Sequence, residues 1–161
     1  MSLSSLQKYQ RKKLRTDLSK LISFLHRSYQ INFGGCCWVT YCLAKNFERL
    51  NMEFKLVVYD DYPETPEETY LNIVERNENT FPCGFNTAAH YTLKVRGIGL
   101  INGGEGEFVT VEGISAEDIK WIYDTGDWNS DYNSRLNGEI KNLIDTVFRI
   151  YEEESCTREV A

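Results

Sequence analysis

The spacing of hydrophobic residues predicts a helix at the start of the chain. One stripe of leucines recurs at steps of four, three and four residues: Leu14, Leu18, Leu21 and Leu25. This spacing is typical of one face of an α-helix and predicts a helix over about residues 3–29. Gly34 and Gly35 then interrupt the pattern, because two adjacent glycines favour a turn.

The same spacing predicts four more helices. One covers about residues 36–50, and its apolar stripe is Cys36, Val39, Leu43, Phe47 and Leu50. The last helix covers about residues 133–153, with the stripe Leu136, Ile140, Leu143, Val147 and Ile150. Two shorter helices are predicted at about residues 68–76 and 116–124.

Four strands are predicted between the second and fourth helices, at about residues 54–60, 88–96, 98–102 and 107–112. Residues 88–96 alternate, so that the apolar side chains point to one face and His90 points to the other. Gly97 turns the chain between the second and third strands. Helices before and after a mainly antiparallel sheet indicate an α+β fold.

We interpret residues 1–161 as a single domain, since this length is sufficient for one hydrophobic core. Its parts are an N-terminal helix (1–29), a catalytic core (30–115), C-terminal helices (116–153) and a frayed tail (154–161).

The net charge of −6 argues against a general attraction to nucleic acid or to anionic membranes. A basic cluster near the N-terminus is interpreted as a solvated helix face: Lys8, Arg11, Lys12, Lys13 and Arg15.

The cysteine content favours a reducing compartment. There are five cysteines, an odd number, and two of them are adjacent in sequence, which is not typical of a disulfide framework. We therefore expect a cytoplasmic protein.

No cysteines and histidines have zinc-ligand spacing, and no apolar run is long enough to span a membrane. We expect no metal and no cofactor.

The strongest chemical signal is a cysteine at the start of the second helix, after Gly34 and Gly35. A helix N-terminus presents unpaired backbone N–H groups and the positive end of the helix dipole. Both favour the thiolate, so the pKa of a cysteine there is expected to fall. The same N–H groups can bind an oxyanion, and the glycines allow a substrate backbone to come close.

Two adjacent cysteines compete for the role of nucleophile. Cys36 shares the apolar stripe of its helix with Leu43, so it is predicted to face the sheet. Cys37 shares a face with Tyr41 and Glu48 and is predicted to point towards solvent. We therefore favour Cys36 and keep Cys37 as the alternative nucleophile.

His90 and Asn102 are the candidate base and orienting residue. A turn centred on residue 96 would place Asn102 opposite His90, where cross-strand Cβ atoms lie about 5 Å apart. Asn102 could then orient the imidazole while the other ring nitrogen takes the Cys36 proton. His26 lies among apolar residues in the first helix and is interpreted as structural.

Gly-Gly-Cys at a helix start, then a strand histidine, then an asparagine one hairpin later, resembles the papain-like cysteine peptidase superfamily. The likeness is to its small bacterial and phage-type members and covers about residues 30–104. It implies a papain-like fold, with Cys36 as nucleophile, His90 as base and Asn102 as orienting residue. It also implies an oxyanion side chain upstream of the cysteine, either Gln30 or Asn32.

The Cys37-Trp38 step also resembles the Cys-Trp step of papain, which keeps Cys37 open as the nucleophile.

Residues 123–133 form an aromatic segment rich in turn-forming residues. One interpretation makes it a wall of the substrate cleft with Trp128 as a platform; the other is a capped helix junction with Trp128 in the core.

The function predicted from these residues is cysteine-dependent hydrolysis of an amide bond through an acyl-thioester. The expected partner is a peptide or protein substrate, with no specific nucleic acid and no membrane, in host cytoplasm or in a virion if a phage encodes the chain. One alternative is a transglutaminase-like acyl transfer. Another is an inactive papain-like binding or phage accessory protein, because a fold does not imply an activity. Thiol reactivity would discriminate these cases.

Overall fold

The structure, a computed structural model, describes residues 6–31, 35–76, 89–126 and 134–160, with the backbone alone for 134–135 and 153–160. These ranges contain five helices: α1 (Lys8–Tyr29), α2 (Cys36–Arg49), α3 (Pro66–Glu75), α4 (Ala116–Thr125) and α5 (Ser134–Val160). They also contain four strands: β1 (Phe54–Tyr59), β2 (His90–Val95), β3 (Gly99–Leu100) and β4 (Phe108–Val111). Within these ranges, no helix combines the length and apolar character needed to cross a bilayer. The predicted α+β class is confirmed.

The four strands form one antiparallel sheet in the order β3-β2-β1-β4. β1 pairs with β2 along its whole length, so that Tyr59 lies opposite His90. On its other side β1 pairs with β4, and Phe108 lies opposite Tyr59. His90, Tyr59 and Phe108 therefore form a row across one end of the sheet.

The two faces of the sheet have different surroundings. Tyr91, Leu93 and Val95 of β2 belong to the main hydrophobic core, together with residues of the helices. His90 alternates with them along the strand and so points to the other face. Its cross-strand neighbour Tyr59 is buried but is not part of that core. The main core therefore lies on one face, and His90 lies on the other.

The β2–β3 hairpin corrects the predicted register. Ile98 N–H donates to the Val95 carbonyl at 3.0 Å, and Gly97 between them has φ +83°. A type II turn requires a positive φ at its third residue, which glycine adopts without strain. Lys94 pairs with Leu100, so the hairpin is centred on residue 97 and not on residue 96.

The end of β3 at Leu100 explains how α2 docks on the sheet. In β2 the Leu93 carbonyl faces the β3 side and accepts a hydrogen bond from Ile101 N–H at 3.0 Å. The carbonyls of Tyr91 and Ala89 face the same side, since strand carbonyls alternate in direction. Within the part of the chain that the structure describes, β3 ends before these two carbonyls, and side chains of α2 bind them.

The last helix differs from its prediction. Its buried side chains are Asn137, Ile140, Ile144, Phe148 and Tyr151. The predicted stripe is correct only in part: Ile140 is buried and Leu143 and Val147 pack against the core while partly buried, but Ile150 is half exposed. The helix also continues to Val160, through most of the segment that was predicted to be a frayed tail.

Candidate functional site

Cys36 is the first residue of α2 and packs against the start of β2. Its side chain is 3% exposed, and its Sγ donates to the Ala89 carbonyl oxygen at 3.9 Å. One turn later, Thr40 Oγ1 donates to the Cys36 carbonyl at 2.8 Å and to the Tyr91 carbonyl at 2.9 Å. The Cys36 thiol therefore contacts the residue immediately before His90 and faces the sheet.

Burial controls the protonation of this thiol. Loss of solvent raises the pKa of Cys36 above its ordinary value, while backbone hydrogen bonds at Tyr91, Cys37 and Cys36 itself lower the pKa by less. The backbone groups at the helix start do lower the pKa of Cys36, as expected, but desolvation raises the pKa by more. The prediction of a lowered Cys36 pKa is therefore wrong, and the resting side chain is a neutral thiol.

Cys37 faces a different part of the molecule. It is fully buried, and its Sγ donates to the Ile119 carbonyl in α4 at 3.9 Å. Burial raises the pKa of Cys37 well above its ordinary value. The prediction that Cys37 points towards solvent is wrong, because α4 covers that face of α2.

His90 begins β2 and is half-buried. Its Nε2 donates to the main-chain carbonyl of Asn102 at 2.7 Å. Burial is the largest cause that lowers the pKa of His90, and the nearby His26 lowers it further. His90 is therefore neutral near pH 7, with its proton on Nε2 and Nδ1 as the basic nitrogen.

The structure brings Cys36 and His90 to the start of the same strand without joining them. Among the residues that the structure describes, the Cys36 thiol is hydrogen-bonded to Ala89 and not to the imidazole of His90. The core position of Cys36 places it on the side of Tyr91, whereas His90 points to the opposite face. The Cys36 thiol and the His90 ring therefore lie on opposite faces of the sheet, near the same end of β2.

Asn102 binds both histidines, but not in the predicted way. Its side-chain Oδ1 accepts a hydrogen bond from His26 Nε2 at 3.1 Å, and its main-chain oxygen accepts the bond from His90. The shifted hairpin places Asn102 level with Thr92, whose Oγ1 accepts the Asn102 N–H at 3.0 Å. Asn102 does orient His90, but through its backbone and not through its amide.

Two aromatic rings extend the site across the sheet. The Tyr59 and His90 ring centroids are 6.0 Å apart, and those of Tyr59 and Phe108 are 5.2 Å apart. Gly104 lies against this row: a Cβ at Gly104 would be 3.0 Å from His90 Cδ2 and 3.0 Å from Tyr59 Cγ. Phe108 is 56% exposed and forms the outer end of an apolar surface beside His90.

The remaining predicted site residues are only partly described. Gln30 ends α1 in a left-handed conformation, with φ +48°, and its side chain is exposed. Gly35 is buried and precedes α2, and it provides no side-chain cap. Asn32, Gly34 and Trp128 lie outside the residues that the structure describes, so their predicted roles stay predictions.

A groove lies at the end of the sheet opposite His90. This groove has a volume of about 1020 Å³. Among its lining residues are the cross-strand pair Lys55 and Lys94, together with Arg96, Glu53 and Glu112.

In the described ranges, no cluster of three or more histidines, cysteines or carboxylates is arranged to hold a metal ion.

Comparisons with known proteins add no assignment. No protein-family model, curated protein or solved structure matches this chain. The interpretation of the site therefore depends on its own residues and their geometry.

His26, interpreted from the sequence as structural, has a specific partner in the Asn102 side chain. Its position in the last turn of α1, away from the leucine stripe, is the one available signal. A half-buried histidine at a helix C-terminus often has a specific partner. The partner lies 76 residues further along the chain, and no local pattern identifies it.

Proposed function

We propose that the chain has a papain-like fold and is a cysteine-dependent amide hydrolase, with Cys36 as nucleophile and His90 as base. The observation that carries this proposal is the fixed tautomer of His90. Since Nε2 donates to the Asn102 carbonyl, Nδ1 is left as the proton acceptor. Burial keeps the ring neutral near pH 7, as a base must be.

The resting pair in this proposal is neutral. Burial raises the pKa of Cys36 and lowers the pKa of His90, and both shifts oppose a thiolate–imidazolium ion pair. The proton would therefore move from Sγ to Nδ1 of His90 only when the thiol approaches the ring, as it would when a substrate or a small electrophile such as iodoacetamide reaches Cys36. Apo active sites often have catalytic hydrogen bonds that form only in the substrate complex.

The reaction follows from these roles. The Cys36 sulfur attacks the amide carbonyl carbon as His90 takes the thiol proton, and the oxyanion is bound by backbone N–H groups at the start of α2. His90 then donates the proton to the leaving amine, and a thioester forms on Cys36. Water attacks the thioester as His90 takes its proton, which releases the acid and restores the thiol. If an amine replaces water, the same steps give acyl transfer.

The test is the rate of iodoacetamide labelling of Cys36 and Cys37, separated by tandem mass spectrometry, over about pH 6 to 9. Cys37 is the internal control, because it is equally buried but faces α4. We expect Cys36 to react at least about tenfold faster than Cys37, and His90→Ala to abolish this advantage. Lys94→Ala is the matched variant, since Lys94 lies on the same face of β2 but at its other end, and should leave the rates unchanged.

Equal and slow labelling of Cys36 and Cys37 in the native protein would contradict a catalytic Cys36. A fast Cys37 would instead contradict the choice of nucleophile. A fast Cys36 that is unaffected by His90→Ala would contradict the pairing with His90.

A binding protein without turnover is the second candidate. The observation that favours it is the bond of the Cys36 thiol to the Ala89 carbonyl, in a 3% exposed position on the opposite side of β2 from His90. This candidate predicts that Cys36→Ala leaves partner binding intact, whereas the hydrolase loses all turnover. If the chain is a binding protein, Cys36 serves as a buried residue of the core and not as a nucleophile.

A further inference from the structure

Asn102 links two elements that are distant in sequence. Its Oδ1 accepts from His26 Nε2 on α1 at 3.1 Å, and its main-chain oxygen accepts from His90 Nε2 on β2 at 2.7 Å. Its own N–H donates to Thr92 Oγ1 at 3.0 Å. Three polar groups of this one residue are therefore bound, and Asn102 bridges the two histidines.

His26 binds the side-chain amide oxygen of Asn102. Residue 102 lies beyond the two-residue strand β3, and β2 holds its main chain through Ile101 N–H on the Leu93 carbonyl and Asn102 N–H on Thr92 Oγ1. The bond from His26 ties the Asn102 side chain to the last turn of α1. His26 therefore adds the contact that fixes the side-chain end of Asn102, next to the carbonyl that binds His90.

His26 also acts on His90 electrostatically. Burial is the largest cause that lowers the pKa of His90, and the electrostatic effect of His26 lowers the pKa further. The other described groups that contact the pair are uncharged: Asn102 after β3, Thr92 on β2 and the Tyr59 ring on β1. Arg27 follows His26 on α1 but is exposed.

We propose that His26 is a positioning residue for His90: its N–H holds the Asn102 side chain, and the main-chain oxygen of Asn102 fixes the His90 ring. The two histidines are thereby coupled through Asn102. The catalytic meaning of this coupling rests on the proposed function, but the coupling itself does not.

Nuclear magnetic resonance can test the coupling directly, since the chain has only two histidines. Two quantities are measured for His90: the exchange rate of its Nε2 proton with water, and the midpoint of its titration. In His26→Ala the Asn102 amide loses its donor, and we expect the His90 Nε2 proton to exchange at least about tenfold faster.

His26→Gln separates the bond from the charge. Its side-chain amide can donate to Asn102 Oδ1 but cannot be protonated near neutral pH. We expect exchange of the His90 Nε2 proton to stay near the wild-type rate, and the His90 midpoint to rise because the electrostatic effect by which His26 lowers the His90 pKa is removed. Arg27→Ala, one residue along the same helix end, is the control and should change neither quantity.

Unchanged exchange and an unchanged midpoint in both His26 variants would overturn the proposal. So would equal loss of protection in His26→Ala and His26→Gln, because a bond donor would then not be what positions Asn102. A matching effect of Arg27→Ala would assign the result to the helix end. None of these readouts needs a substrate, so they stay informative even if the labelling of Cys36 contradicts the hydrolase.

Discussion

At the scale of single residues, Cys36 shows how two opposing effects on one thiol compare in size. A helix N-terminus stabilises a negative charge by about 0.3–1 kcal/mol at exposed sites. Removing a charged group from water costs several kcal/mol. Cys36 lies at a helix N-terminus and is also buried, and burial has the larger effect on its pKa. The motif around a cysteine therefore does not determine its reactivity unless its exposure is also known.

Cys42 gives a prediction for the pH dependence of stability. Burial raises the pKa of Cys42 from 9.0 to about 12. Since the folded pKa lies above the unfolded one, the stabilisation is complete below about pH 9 and is lost as the pH rises towards 12. At pH 10 this single group would lower the free energy of unfolding by about 1.4 kcal/mol relative to pH 7.

The measurement is urea unfolding under reducing conditions, from about pH 7 to 10.5. Cys42→Ala loses packing at every pH, so only the slope is compared. We expect a shallower decrease above pH 9 in the variant. Parallel curves for the two proteins would show that Cys42 does not titrate on unfolding in this range.

At the scale of elements, helix ends follow local rules. Ser115 precedes α4, and its Oγ accepts the Asp118 N–H at 3.1 Å, while Asp118 Oδ2 accepts the Ser115 N–H at 2.9 Å. This reciprocal pair is a capping box, and it satisfies two backbone donors that the helix leaves unpaired. Thr65 similarly accepts the Glu68 N–H at the start of α3. Both helix starts depend on residues within three positions.

Ser115→Ala should therefore destabilise the fold by about 1 kcal/mol. The expected result is a lower thermal midpoint with no change in the length of the other helices. Ser23→Ala is the matched control, because Ser23 is an exposed serine inside α1, where alanine is favourable. If the two variants unfold at the same temperature, the capping box contributes nothing measurable.

At the scale of the whole molecule, α5 completes the core by packing against α2. Phe148 meets Phe47 edge to face, with ring centroids 5.0 Å apart, and both rings are buried. Tyr151 of α5 also donates its hydroxyl proton to Asp17 on α1. Helix α5 thus contacts both α1 and α2, the helix that carries Cys36.

Phe148→Ala should lower the free energy of unfolding by about 3–5 kcal/mol, since it leaves a cavity where two helices meet. Phe24→Ala is the control, because Phe24 is 40% exposed, and it should cost far less. Urea unfolding of both variants provides the comparison. A cost below about 1 kcal/mol for Phe148 would show that α5 is not part of the cooperative core.

The sequence by itself determined the elements and their order, because helix stripes, strand alternation and turn glycines are local signals. It also placed Cys36 at a helix start and Asn102 after a hairpin, close to their observed positions. The buried side of α5 was not determined, because apolar residues lie on both candidate faces and only contact with α2 selects Phe148 over Val147.

Only the tertiary structure decided the chemistry of the site. A shift of the hairpin centre by one residue moved Asn102 level with Thr92 and directed its side chain to His26. Packing of α4 and β2 on α2 buried both adjacent cysteines. Contacts between residues far apart in sequence control these outcomes, and a pattern of neighbouring residues carries no information about them.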